Sequence, residues 1–138
     1  MTPRFLLDTN IVSEPLRPRP RASVVENLRR YEQEIVTSSI VWHELRFGVA
    51  RLPPSERRTA IERYLEEVVL ASIPVLDYDR PAAEWHAAER ARLAARGVTP
   101  PFVDGQIAAV AAVHDLTLVT FNTADFKRFR GLRVQSWT

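Results

Sequence analysis

At 138 residues, with 46% hydrophobic and 26% charged side chains, the chain has the size and balance of one compact domain, not of a disordered, collagen-like or membrane-embedded polymer. It contains no cysteine, which excludes disulfide scaffolds, thiol nucleophiles and cysteine-based zinc or iron–sulfur centres. Nineteen bases against seventeen acids leave a formal charge of only +2, and every base except Lys127 is an arginine, a side chain suited to bidentate contact with carboxylate or phosphate.

Short apolar runs alternate with helical patterns, which predicts an α/β fold: a parallel sheet covered by helices on both faces. The first strand is expected over residues 4–7, ending on Asp8, with a short helix over 10–16 stopped by Pro18 and Pro20. Val24, Val25, Leu28 and Tyr31 mark a helix over 21–32, and 35–37 form a second strand. Ser38 or Ser39 is placed to cap a helix over 40–51. After Pro53 and Pro54, the stripe Ile61, Tyr64, Leu65, Val68, Val69 reads as an amphipathic helix. A third strand follows over 73–76, then Asp79 caps an Ala-rich helix over 81–96, and residues 97–101 form a loop. The remainder is a helix over 102–114, a strand over 116–120, a helical turn over 125–129 and a terminal strand over 132–135. The four glycines form no dinucleotide fingerprint, P-loop or nucleophile elbow. The run Phe5–Leu7 is broken at once by Asp8, and no stretch approaches the roughly 18 apolar residues of a membrane span, so no membrane association and a cytoplasmic location are expected.

Four acids stand out by position. Asp8 is the first polar group beyond an apolar strand, at the carboxyl edge where open α/β sheets bind ligands; an N-cap is the simpler account. Glu44 shares a helix face with Ile40, Phe47 and Gly48, which turns it partly toward the core unless Arg46 or Arg51 pairs it at the surface. Asp104 opens a helix and Asp125 follows a strand, with Asn122 beside it. Four carboxylates in one crevice repel unless a hard divalent cation neutralises them, and an oxygen-only donor set suits Mg²⁺ or Mn²⁺ and phosphodiester hydrolysis.

The runs Phe5-Leu6-Leu7-Asp8-Thr9-Asn10, Ser39-Ile40-Val41-Trp42-His43-Glu44-Leu45, Phe102-Val103-Asp104-Gly105-Gln106-Ile107-Ala108-Ala109 and Val119-Thr120-Phe121-Asn122-Thr123-Ala124-Asp125-Phe126 resemble, in order and spacing, the motifs of PIN-domain ribonucleases of the VapC toxin type. The resemblance covers nearly the whole chain. It implies one PIN domain over residues 1–138, a three-layer α/β/α sandwich around a parallel sheet of four to five strands. It further implies a Mg²⁺- or Mn²⁺-dependent endoribonuclease, a homodimer, and neutralisation by a small VapB-like antitoxin. By position, Asp8, Glu44 and Asp104 match three acids of the family site and Asp125 the more variable fourth. Thr120 and Asn122 match their polar companions, while Thr9 and Ser39 fit as supporting donors. Phe121 departs from the pattern, because many relatives carry a basic residue there.

Other features read more simply. His43, His86 and His114 form no ligand spacing and are assigned to packing or surface; Trp42, Trp85 and Trp137 likewise to packing. Arg17 and Arg19, with Lys127 and Arg128, offer phosphate contacts, and Arg46 a phosphate or an antitoxin carboxylate. In the resembled family the helical region over 54–70, with Trp42 and Phe47 nearby, forms the antitoxin groove. A receiver-like phosphoacceptor is disfavoured, since Lys127 does not follow the last strand directly; a binding module whose acids are only helix caps is the competing reading. If the four acids are set aside, seventeen minus four leaves thirteen acids against nineteen bases, a surplus of six on an Arg-rich exterior.

Overall fold

The computed structural model describes residues 2–138. Five short parallel strands, β1 (Phe5–Leu7), β2 (Ile35–Ser38), β3 (Val75–Leu76), β4 (Thr117–Val119) and β5 (Arg133–Gln135), form one sheet in the order β3-β2-β1-β4-β5. β1 is central, with Phe5 opposite Ile35 on one side and Thr117 on the other. The chain builds outward from β1 to β3, then returns to place β4 on the opposite side. The order therefore reverses between β1 and β4, and the crevice at their carboxyl ends is where such sheets bind ligands.

The helices are α1 (Thr9–Ser13), α2 (Ala22–Arg30), α3 (Ser39–Ala50), α4 (Glu56–Arg63), α5 (Leu70–Ser72), α6 (Arg80–Ala94), α7 (Phe102–Val113) and α8 (Thr123–Phe126). Their sequence logic is local. Ser38, not Ser39, caps α3 by accepting from the Val41 N–H at 3.1 Å, and Asp79 caps α6 by accepting from Ala82 at 3.1 Å. Pro15 lacks an N–H, and α1 gives way to a 3₁₀ turn over Glu14–Leu16. β1 is wholly buried, and α7 buries Gly105 and Ile107 through Ala111, so it reads as apolar nearly all round and lies inside the molecule. Buried Trp137 packs against the start of the central strand, its ring 5.4 Å from Phe5 and 5.7 Å from Tyr31.

The long amphipathic stripe is corrected in one respect. The backbone widens to a π-helix over Tyr64–Val69, so Leu65 and Val69 are fully buried while Val68 turns outward to 49% exposure. The last helical turn begins at Thr123, ahead of the expected position at Asp125. Among the described residues no helix is long and apolar enough to cross a membrane.

Candidate active site

Asp8 leaves the end of β1 buried, with 7% of its surface exposed. Its Oδ1 accepts the Thr9 N–H and its Oδ2 accepts the Thr120 hydroxyl, both at 2.8 Å. Thr120, wholly buried beyond β4, also accepts the Asn122 N–H at 3.0 Å. These bonds tie the ends of β1 and β4 together at the reversal of strand order. Asp8 does cap α1, but its second oxygen is spent across the crevice, which capping does not require.

Glu44 is brought in from α3. The core stripe of that helix is Val41, Leu45 and Val49, and Phe47 is 59% exposed, so the face Glu44 shares with Phe47 is not the core side. Glu44 instead flanks the stripe, where its Oε1 accepts the Thr9 hydroxyl at 2.8 Å. Arg46 and Arg51 do not pair with it: Arg46 lies 3.7 Å from Glu66, and the Arg51 guanidinium sits over Phe47. The Ser39 hydroxyl accepts the Tyr78 N–H at 3.3 Å and supports none of the four acids, because Ser39 starts α3 on the side facing the chain beyond β3.

Asp104 stands in the first turn of α7, whose N-cap is Pro101 and which has no side-chain cap. Burial pushes its carboxyl above the usual carboxylate range, and the negative charges of Asp8, Asp125 and Glu44 push the same way, with Arg128 opposing them. Asp104 therefore feels all three other acids, which places the four carboxyls in one electrostatic neighbourhood. Asp8 is raised too, by burial that outweighs the hydrogen bonds from Thr120 and Thr9. Asp125 lies on exposed α8, 3.7 Å from the Arg128 guanidinium, which also donates to the Asp125 carbonyl at 2.7 Å. Among the described residues, no three acids or imidazoles converge closely enough to grip an ion directly.

A cavity of about 660 Å³ opens beside Glu44, the one of the four acids that lines it, together with Thr9, Leu45, Arg51, Arg57 and Ile61 among others. It has an apolar floor between α3 and α4 and arginines at its rim. Trp42 and Phe47 do not line it. Arg17 does, while Arg19 and Lys127 are exposed outside it.

A profile of the PIN domain matches residues 5–132. The chain belongs to the PIN-domain family. This PIN domain is 37% identical over 125 residues to Toxin FitB of Neisseria gonorrhoeae, spanning 88% of this chain and 90% of that one. It is 36% identical over 135 residues to the tRNA(fMet)-specific endonuclease VapC of Shigella flexneri, covering 98% of each. Among solved structures, FitAB bound to a DNA fragment superimposes with a TM-score of 0.89 at 33% identity, covering 97% of this chain and 96% of that chain. DNA-bound VapBC from Salmonella typhimurium gives 0.85 at 29% identity, covering 99% of each.

Three contacts of this PIN domain were not anticipated by sequence. Glu14, 1% exposed, accepts the Arg21 N–H at 2.8 Å and braces the Arg- and Pro-rich segment; an acid beside apolar Ile11 and Val12 was the available signal. Arg21 lays its guanidinium 4.1 Å from the Phe121 ring centre, so a base stands over the position where the motif departs from its relatives. Buried Glu89 holds Arg92 by two bonds of 2.8 and 2.9 Å and accepts the Arg130 N–H at 2.6 Å, pinning the turn beyond Asp125 and Arg128 to α6.

Proposed function

We propose that this chain is a divalent-metal-dependent endoribonuclease, the toxin of a VapBC-type pair, working in the cytoplasm as a homodimer of single PIN domains. One observation carries the reading: the Asp104 carboxyl is raised by burial and by the charges of Asp8, Asp125 and Glu44, which supports a site common to the four acids at the carboxyl edge of the sheet. A cap-only role accounts poorly for Asp104, which caps nothing.

A hard cation fits this donor set, which is all carboxylate oxygen with a deficit of positive charge. Mg²⁺ retains several waters and needs only one or two direct carboxylates, so the spread of the acids is compatible with Mg²⁺ or Mn²⁺ held by Asp8, Asp104 and Asp125, with Glu44 direct or through water. When bound, such an ion supplies charge neutralisation at the scissile phosphate and a more acidic water for in-line attack. The protein's own contribution is placement. Thr120 and the Thr9 N–H hold the Asp8 carboxylate in one orientation, and the Thr9 hydroxyl does the same for Glu44. Arg128 lies beside Asp125 as a phosphate contact, with Lys127, Arg17 and Arg19 as outer contacts along the RNA.

The antitoxin belongs in the cavity beside Glu44, where an apolar floor and the rim arginines Arg51 and Arg57 suit a segment with apolar and acidic side chains. Arg46 is less available than expected, since Glu66 engages it.

Purified protein is assayed on single-stranded RNA and DNA with Mg²⁺, Mn²⁺ or EDTA, beside D8N and D104N. The expected result is metal-dependent RNA cleavage lost in both folded variants, and growth arrest on expression that D104N relieves. Undiminished cleavage by either variant refutes the assignment, and sedimentation analysis checks the dimer.

A further inference from the structure

Asp104 is held differently from Asp8 and Glu44. The Asp8 carboxylate takes two hydrogen bonds and that of Glu44 takes one, whereas among the described residues the Asp104 carboxylate takes none. Where it stands therefore depends on how the first turn of α7 is seated. That turn has no side-chain cap to fix it.

The next residue supplies the seat. A Cβ built on Gly105 would lie 2.2 Å from His86 Nε2, 2.5 Å from its Cδ2 and 3.1 Å from its Cε1, the first two closer than a side chain tolerates. The imidazole is thus packed directly on the Gly105 backbone. It has nowhere to retreat. His86 is 4% exposed, its Nδ1 is 3.0 Å from the Tyr78 hydroxyl, and the Phe102 ring lies 4.8 Å from its own. The pocket between His86, Phe102 and Gly105 measures only about 10 Å³, room for a single water at most. The Tyr78 bond also settles a question raised by sequence: His86 is a buried packing residue, but one whose contact falls beside a candidate catalytic acid.

We propose that His86 is a positioning residue for Asp104: the imidazole, anchored by Tyr78, seats the Gly105 backbone and so sets where α7 delivers the Asp104 carboxylate among the other acids. The pair Gly105 and His86 is a complementary unit, in which the absence of a side chain at one position makes room for a ring at the other. The consequence for cleavage rests on the nuclease reading; the geometry does not.

The test compares wild type with G105A, H86A and H86A/G105A in the full chain. Three quantities are read: the thermal midpoint, the affinity for Mn²⁺ alone, and kcat and KM on a short fluorogenic RNA. Displacement of a reacting group by a fraction of an ångström to an ångström lowers rate by about ten- to a hundredfold, so G105A should lose at least about tenfold in kcat with KM nearly unchanged, and bind Mn²⁺ more weakly. H86A opens a void under the turn and should weaken both readouts less severely. In the double variant the added methyl occupies part of the space the ring vacated, so it should exceed both single variants in kcat and Mn²⁺ affinity. A merely structural role predicts lower thermal midpoints with kcat and Mn²⁺ affinity as in wild type, and that result overturns the proposal. So does a double variant no better than G105A. Should G105A fail to fold, the comparison of H86A with the double decides alone, and a double at or below H86A overturns it. A wild-type chain that binds Mn²⁺ but cuts no RNA refutes the nuclease reading, and the Mn²⁺ comparison still decides this one.

Discussion

Thr120→Val tests whether the Asp8 carboxylate is held in place by the end of β4. Thr120 is wholly buried; its hydroxyl donates to Asp8 Oδ2 at 2.8 Å and accepts the Asn122 N–H at 3.0 Å. Valine has nearly the same outline, so the substitution removes both bonds with little change in packing. A hydrogen bond to a charged group contributes about 1.5–3 kcal/mol, and the Asn122 N–H, near the surface, can turn to water at small cost, so the expected loss is about 2–3 kcal/mol at neutral pH. For a chain of this length that lowers the thermal midpoint by roughly 7–10 °C. The loss should also depend on pH. Burial already raises the Asp8 carboxyl and the Thr120 bond opposes that rise, so the variant's Asp8 titrates higher still. Above that value the carboxylate is charged and lacks its donor, and the full penalty applies; below it the carboxyl is neutral and the penalty shrinks. Urea melts in EDTA at steps from about pH 8 to about pH 4 measure this, the lower limit being the ordinary aspartate value. A penalty under about 0.5 kcal/mol at neutral pH, well short of a charged hydrogen bond, or one that is constant across the series, would refute the reasoning.

Asp104→Asn removes a half-buried carboxyl that three other acids repel, so in EDTA it should raise stability, by less than about 1 kcal/mol because water screens a half-exposed group, while abolishing the gain that Mn²⁺ gives the wild type; calorimetry with and without the ion reads both. That wild-type gain should be about 2.7 kcal/mol at a hundredfold excess of Mn²⁺ over its Kd, and no gain at any concentration counts against a metal site. The sign of the pH dependence follows from the two raised acids: between the ordinary aspartate pKa and the raised folded values, the native state binds more protons than the unfolded chain. The contribution of these two acids to stability in EDTA should therefore fall as pH rises through that window, opposed by buried His86, whose lowered pKa acts with the other sign, and added Mn²⁺ should flatten the acids' fall. Glu14→Ala orphans the Arg21 N–H and leaves a buried void, costing about 2–3 kcal/mol in urea melts and exposing the Arg17–Pro20 segment to trypsin; Glu14→Gln keeps the acceptor and should cost less than half as much.

The parts of the fold that were legible are those decided by local chemistry. Apolar triplets bounded by polar residues became buried strands, and Asp79 capped its helix as its position suggested. The place of Asp8 was legible for the same reason, since a carboxylate directly beyond an apolar strand must emerge at the sheet edge. What was lost is what depends on a second element. The face of α3 was misjudged because apolar residues flank Glu44 on both sides, which leaves two orientations open to periodicity; the sheet beneath selects Val41, Leu45 and Val49. The π-turn over Tyr64–Val69 leaves no mark in a stripe that an ordinary helix fits equally well. Phe121 looked like a missing base, yet the base arrives from Arg21 in the proline-rich segment, by a stacking contact that no local spacing encodes.

The opening charge balance acquires a physical meaning from this arrangement. An Arg-rich surface surrounds a crevice in which burial raises Asp8, and burial with like charge raises Asp104, so in the free protein the site opposes folding at neutral pH. Hydrogen bonds from Thr9 and Thr120 offset part of that opposition for Asp8, and Arg128 offsets part for Asp104, but each does so at the rim or from one side. Among the described residues no cation sits among the four acids in a way that would neutralise them all, since Arg128 pairs with exposed Asp125 and Arg17, Arg51 and Arg57 line the adjoining cavity. The uncompensated charge is thus available to drive binding of an external cation, and folding stability and ion occupancy become one linked quantity. It follows that substitutions which relieve the repulsion, D104N foremost, should make the empty protein sturdier by the same interaction whose loss silences it.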